Sequence, residues 1–424
     1  MPSRQASTPS QKRFWLLDLT REERATLIAT FGGWGLDGMD VMIYSFVIPT
    51  LMAQWQMNQG QAGILSTVAL VISALGGWLA GILADRFGRA RILQLTIVWF
   101  AVFTFLSGFT HTFWQLLVAR ALQGIGFGGE WAVGAVLMGE AIRAEHRGKA
   151  VGTVQAGWAI GWGVAAAFYT LLFSILPPSL AWRVMFWIGI LPSLLVFYIQ
   201  HRVPEPEIFQ KTRADHTRNG GGSSFLEIFG PPLLRTTLLA SLLAVGAQGG
   251  YYAITTWLPT YLKTTSGLSV LNTGAYLSVV IAGSFFGYLA GAWLTDFLGR
   301  KRTLILFALC SLLAALAYTY VPPGNTLMLV LGFPLGFFPS GAFSPIGAFF
   351  TELFPTRLRG SGQGFSYNVG RGLGALFPTL VGYLSTRMGL GHAISAFAVC
   401  AYFTMALAAF FLPETRGSDL TTAG

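Results

Sequence analysis

The chain has 424 residues, of which 53% are hydrophobic and only 10% charged, and its mean hydropathy is +0.59; a soluble domain carries about 25% charged residues. A water-soluble enzyme is therefore excluded, and so is a separate catalytic domain, because the apolar runs occupy most of the length. The 27 basic and 17 acidic side chains leave a net charge of +10, but they cluster between apolar runs and form no nucleic-acid patch.

Residues 1–25 form a polar tail with no apolar stretch ahead of a small-residue cleavage site, so no signal peptide is expected. Runs of about 20 apolar residues, each long enough to cross a bilayer core of about 30 Å, follow near 26–52, 62–84, 92–110, 114–138, 150–174 and 182–200. A segment rich in charge, Pro and Gly occupies 201–235. Six more runs lie near 236–261, 272–295, 303–321, 327–350, 361–384 and 391–412, before a tail at 413–424. The expected fold is an all-α membrane protein of twelve transmembrane helices in two pseudo-symmetric six-helix bundles, 26–200 and 236–412. With both ends on one side, 22 of the 27 basic residues fall on that side. Basic residues stay cytoplasmic, so both termini are expected there. Cys310 and Cys400 both lie inside predicted spans, and no Cys/His spacing suggests a metal.

The halves repeat. Asp85-Arg86-Phe87-Gly88-Arg89-Ala90-Arg91 matches Asp296-Phe297-Leu298-Gly299-Arg300-Lys301-Arg302 at an offset of 211, and Glu140, Arg147, Gly148 and Gly152 match Glu352, Arg359, Gly360 and Gly364 at 212. Parallel repeats about the membrane normal place a binding site between the halves, near the midplane. Gly81-Ile82-Leu83-Ala84-Asp85-Arg86-Phe87-Gly88-Arg89-Ala90-Arg91 resembles the loop signature of the major facilitator superfamily, whose members carry small solutes. The resemblance spans essentially the whole chain; the second copy departs from it only in the spacing from Gly291 to Asp296, with Ala292 in the matching place. It implies that Asp85, Arg89, Asp296, Arg300, Glu140, Arg147, Glu352 and Arg359 take part in gating the cytoplasmic face; plain cytoplasmic anchoring is the alternative. Small residues four apart, at Gly77/Gly81, Gly124/Gly128, Gly157/Gly161 and Gly283/Gly287/Gly291, are expected to bring helix backbones into close contact.

Five ionisable residues sit well inside predicted spans, where charge is costly and usually functional: Asp37, Asp40, Arg120, Glu130 and Arg371. Asp37 and Asp40, at i and i+3, are neighbours on one helix face, and two carboxylates so placed can share a proton; a structural pair bonded to nearby backbone is the alternative. Their segment resembles the first-span motif of aromatic acid:proton and sialic acid:proton symporters. Arg120 and Glu130 are ten residues apart, about 15 Å along a helix, so each needs a partner elsewhere. The pattern from Arg120 to Trp131 is similar to the fourth span of metabolite:proton symporters, which implies that Glu130 is a proton carrier and Arg120 a coupling or substrate-binding residue; a buried ion pair is the other reading. Arg371, one turn from Asn368, is suited to hold a carboxylate bidentately, or to act as counter-ion to Asp37 or Asp40. Gln123, Gln155, Trp158, Gln248, Tyr251 and Tyr252 are further candidate substrate contacts.

The expected function is proton-coupled symport of a small organic anion by a monomeric, multi-pass protein of a bacterial inner membrane. The proton serves as coupling ion, and neither a cofactor nor a nucleic-acid partner is expected. A carrier of neutral sugar or zwitterion, or a sensor that keeps the fold without turning over, are the rivals. A membrane enzyme is disfavoured, because His111, His146, His201, His216 and His392 all lie outside the spans or at their ends and no hydrolase or zinc motif appears.

Overall fold

A computed structural model describes residues 15–143, 147–203, 225–265, 267–320, 326–355 and 358–416. They form helices α1 (Arg21–Trp55), α2 (Gln59–Phe87), α3 (Arg89–Ser107), α4 (Phe113–Ala141), α5 (Arg147–Ile175), α6 (Pro178–Ile188) and α7 (Ser193–Arg202). The second half holds α8 (Pro231–Thr260), α9 (Val270–Leu298), α10 (Arg300–Tyr320), α11 (Thr326–Gly341), α12 (Phe343–Leu353), α13 (Arg359–Gly374), α14 (Leu376–Met388) and α15 (Leu390–Phe411). Among the described residues there is no strand. Ten helices or helix pairs are long and apolar enough to cross a membrane. The charge-bearing α4 and the glycine-rich α13–α14 pair complete a twelve-crossing, two-bundle architecture.

Three crossings expected as single helices are broken. The sixth is α6 and α7, interrupted before Ser193 where Pro192 stands. The tenth breaks at Ala342, after Pro334 and Pro339 have removed two backbone donors from α11. The eleventh breaks at Ala375, between Gly374 and Pro378. Most of the expected linker at 201–235 lies outside the described residues, although α8 begins inside it at Pro231.

Helix starts follow local chemistry. Thr20 and Glu23 close a capping box on α1, and Asn58 and Gln61 close one on α2. The repeated loop signature makes the same turn twice: Gly88 ends α2 at φ 108° and Gly299 ends α9 at φ 99°, a backbone region that only glycine enters without strain.

Glycine notches set the packing. A methyl on Gly128 would run into the Ser73 carbonyl, one on Gly124 into Ala69, and one on Gly161 into the Gly35 carbonyl. Gly283, Gly287 and Gly291 likewise abut Phe333, Phe337 and Gly341. Helices approach this closely in lipid because dispersion contact, rather than expulsion of water, drives association.

The halves meet through α2 against α13–α14 and α5 against α9, two contacts that the repeat interchanges. At one end the seam is tight. Thr67 donates to the Ala375 carbonyl at 2.6 Å, Thr379 donates to Thr67 at 2.7 Å, Gln59 bonds Ser385, and Gly63 lies against Pro378 and Thr379. Toward the other end the seam loosens: among the described residues, a methyl at Gly81 of α2 or Gly364 of α13 would meet nothing within 4 Å.

Candidate functional site

The innermost helices, α1 and α8, carry unbroken stretches of buried residues through their middles. A polar side chain there is cut off from water, and unless it is paired its cost is several kcal/mol. The five in-span charges resolve into two clusters. In the first, Asp37 of α1 and Glu130 of α4 present their carboxyls to each other and lie within electrostatic range of Arg371 from α13. All three are at most 1% exposed. Among the described residues, both Asp37 carboxyl oxygens, Glu130 Oε2, and Nε and Nη1 of Arg371 complete no hydrogen bond of normal geometry. The Glu130 carboxyl fits because Gly33, one turn before Asp37, has no side chain; a methyl there would collide with Oε1.

The Arg371 guanidinium is held between rings, with Cζ 5.0 Å from the Phe127 centroid and 5.5 Å from that of Tyr367. Stacking replaces part of the lost hydration of a planar cation while leaving its N–H edge free for an anion. Gln248 of α8 donates to the Tyr367 carbonyl at 2.9 Å and accepts from the Tyr252 hydroxyl at 3.2 Å. Asn368 donates to the Gly364 carbonyl at 2.9 Å, and its Oδ1 faces Gly77 of α2, across the seam.

The second cluster lies wholly in the first half. Gln123 donates to Asp40 Oδ2 and, at 2.8 Å, to the Thr104 hydroxyl, while accepting from Arg120 Nη1 at 2.6 Å. The Arg120 guanidinium sits 4.7 Å above the Tyr44 ring. Asp37 and Asp40 lie close enough to feel each other's charge, yet their carboxyls belong to different clusters. The three-residue step turns Asp37 toward the seam and Asp40 into its own bundle, toward Gln123 and Thr104. Arg120 has its counter-charge in Asp40, and its contacts to Gln123 and Tyr44 lie in the first half as well.

Aromatic rings extend the first cluster. Phe127 lies 6.2 Å from Trp158 of α5, which lies 4.9 Å from Trp34. Tyr251 of α8 meets Phe343 edge-on at 5.3 Å. Gln155 is buried on α5 one turn before Trp158.

Of the expected gating residues, Asp85, Arg89, Glu140 and Arg147 have side chains outside the described residues. In the second half Arg300 binds Glu352 through Nε at 3.1 Å and Nη2 at 3.0 Å, and reaches Asp296 at 3.3 Å. Glu352 also accepts from Thr415, and Glu414 accepts from the Arg300 amide at 2.9 Å. Arg359 donates to the Thr351 carbonyl at 2.8 Å. These contacts join helix ends of one half and do not bridge the seam.

The Major Facilitator Superfamily model matches residues 30–378 and 278–423, nearly the whole chain. The chain belongs to this superfamily. This facilitator is 43% identical to a probable 4-methylmuconolactone transporter of Cupriavidus pinatubonensis, over 97% of its own length and 95% of the relative's. It is 32% identical to a cis,cis-muconate transport protein of Acinetobacter baylyi, covering 90% and 92% of the two chains. Its fold matches the solved proton:xylose symporter XylE bound to 6-bromo-6-deoxy-D-glucose, with TM-score 0.74, 19% identity and coverage of 94% and 98%. It is thus a membrane-spanning transporter and not an enzyme, and both of these sequence relatives are named for organic acids.

Several site residues of this facilitator escaped the sequence reading. Phe127 and Tyr367 stand three and four residues before Glu130 and Arg371, and Tyr44 stands four after Asp40. A search for rings one helical turn from each buried charge would have found all three. Thr104, on α3, carries no such signal. Nor did Glu23, which is 3% exposed and takes the Arg143 amide at 3.0 Å and its Nε at 2.9 Å, fastening α1 to the end of α4.

Proposed function

We propose that this facilitator imports a small organic acid together with a proton, the proton occupying the Asp37–Glu130 pair and the substrate carboxylate docking on Arg371. The observation that carries this reading is the cross-seam triad: two buried acids from the first half within electrostatic range of one guanidinium from the second, each with hydrogen-bonding atoms unpaired among the described residues. Before substrate arrives, Arg371 is balanced by an acid. An incoming carboxylate takes over that balance, and the displaced acid keeps its charge low by holding a proton. The loaded site carries no more net charge than the empty one, so the low-dielectric interior does not oppose closure. A −1 anion and one proton cross as a neutral pair.

The excess of basic residues at one end supports cytoplasmic termini in a bacterial inner membrane. In that orientation the tight seam from Gln59 to Thr67 faces outward and the loosened end near Gly81 and Gly364 faces the cytoplasm. The Arg300–Glu352–Asp296 cluster then sits where the halves part, where it stiffens the second bundle so that it moves as a unit. The triad is complete within one chain, so a monomer suffices. The proton is the coupling ion.

Purified protein in liposomes, with an acidic exterior and alkaline interior, tests this. Labelled 4-methylmuconolactone accumulates above its equilibrium level, and Asp37→Asn or Glu130→Gln abolishes that accumulation. Saturable uptake by the wild type that ignores the pH gradient would overturn the coupling. Competition by a methyl ester equal to that by its acid would overturn the carboxylate assignment.

A further inference from the structure

We infer that Trp158 and Tyr251 form a second, uncharged pole of the binding site, which selects acids carrying a neutral hydrogen-bond acceptor at the end remote from the carboxylate. The inference rests on the proposed docking of a carboxylate at Arg371. Trp158 is 4% exposed and Tyr251 3%; among the described residues, neither the Trp158 indole N–H nor the Tyr251 hydroxyl completes a hydrogen bond of normal geometry. The Tyr251 hydroxyl nevertheless lies beside the Trp158 indole, Tyr288 and Ser340, and Ser340 is bonded to Ser284. A buried polar group left unmade costs about 1–3 kcal/mol, and phenylalanine in either place would fill similar space without that cost. The two donors come from opposite halves, α5 and α8.

Geometry and charge then limit what these donors recognise. One ring, Phe127, separates this pole from Arg371: it lies 5.0 Å from the guanidinium carbon and 6.2 Å from the Trp158 ring. That is the scale of a single-ring acid lying against Phe127. Indole donates only, and a tyrosine hydroxyl donates and accepts. A carbonyl, lactone or ring-nitrogen acceptor suits them, and a carbonyl oxygen with two lone pairs takes one donor from each half. The groups beside the Tyr251 hydroxyl are the neutral side chains of Trp158, Tyr288 and Ser340. Among these described neighbours there is no cation, so a second carboxylate placed here would be a buried anion facing neutral groups, which is strongly unfavourable. The pole therefore prefers a monocarboxylate with a neutral polar end over a dicarboxylate.

Binding to the purified full-length protein, read as the acid concentration giving half-maximal thermal stabilisation, tests this with three matched probes. 4-Acetylbenzoate carries the acceptor, 4-isopropenylbenzoate is its apolar counterpart of the same shape, and terephthalate carries a second carboxylate. The wild type prefers the acetyl compound over the isopropenyl one by about fivefold or more, as one hydrogen bond predicts, with terephthalate weakest. Trp158→Phe and Tyr251→Phe each shrink the acetyl preference toward unity, and either variant alone locates it. Equal binding of acetyl and isopropenyl acids, or a preference unchanged in both variants, would overturn the second pole while leaving the Arg371 assignment standing. Equal stabilisation by 4-acetylbenzamide, which has no carboxylate, would instead overturn that assignment.

Discussion

Replacing Arg371 by lysine separates charge from shape. The guanidinium is 1% exposed, lies between Phe127 and Tyr367, and keeps Nε and Nη1 free. Lysine preserves the positive charge facing Asp37 and Glu130, so the folded protein remains balanced. It lacks the planar fork, however, and presents a point charge on a shorter stem. A carboxylate bound by two parallel N–H donors then loses one charge-assisted hydrogen bond, worth about 1.5–3 kcal/mol. At 1.4 kcal/mol per factor of ten, the half-saturation concentration for the acid rises about 10- to 150-fold. Arg371→Met differs in kind, because it leaves two buried acids without their cation; breaking a buried pair in this way costs about 3–5 kcal/mol and lowers the melting temperature as well. The assay is initial-rate uptake into liposomes across substrate concentrations, with thermal melts in parallel. A lysine variant that keeps the wild-type half-saturation value would refute bidentate docking and leave Arg371 a simple counter-ion.

Gly33→Ala forces the Glu130 carboxyl out of its notch beside Asp37; pH-driven accumulation is expected to fall while the protein still elutes as a single folded species, and an unchanged pH profile would count against the pair. Gly161→Val overfills the α1–α5 contact, where the Gly35 carbonyl already occupies the space of a methyl, and destabilises by about 1–3 kcal/mol. Gly81→Ala meets no atom within 4 Å and removes a flexible residue from a helix, so its melting temperature stays level or rises. Arg300→Ala and Glu352→Gln, combined in a double-mutant cycle on thermal stability, show a coupling of about 0.5–3 kcal/mol, since both side chains are largely shielded, at 16% and 12% exposure; additive effects would remove the stiffening role.

Composition and apolar run length alone determine that the chain is a membrane-spanning helix bundle, because continuous apolar runs of about 20 residues suit helices, whereas the strands of a membrane barrel are shorter and alternate apolar with polar residues. Internal repetition fixes the two-half design, and the four-residue glycine spacing marks helix faces that pack closely, since a notch at i and i+4 lies on one face. The five in-span charges also stand out in the sequence, because burying charge is costly, and all five are buried in the folded chain. Pairing is another matter. Asp37 and Asp40 look equivalent along α1, yet one meets Glu130 and, across the seam, the charge of Arg371, while the other meets Gln123 inside its own bundle. Partners ninety or three hundred residues away depend on how helices rotate against one another, and helical period carries no such information. For the same reason the breaks within the tenth and eleventh crossings, the rings around Arg371 and the facing donors of Trp158 and Tyr251 emerge only once the two halves are packed together.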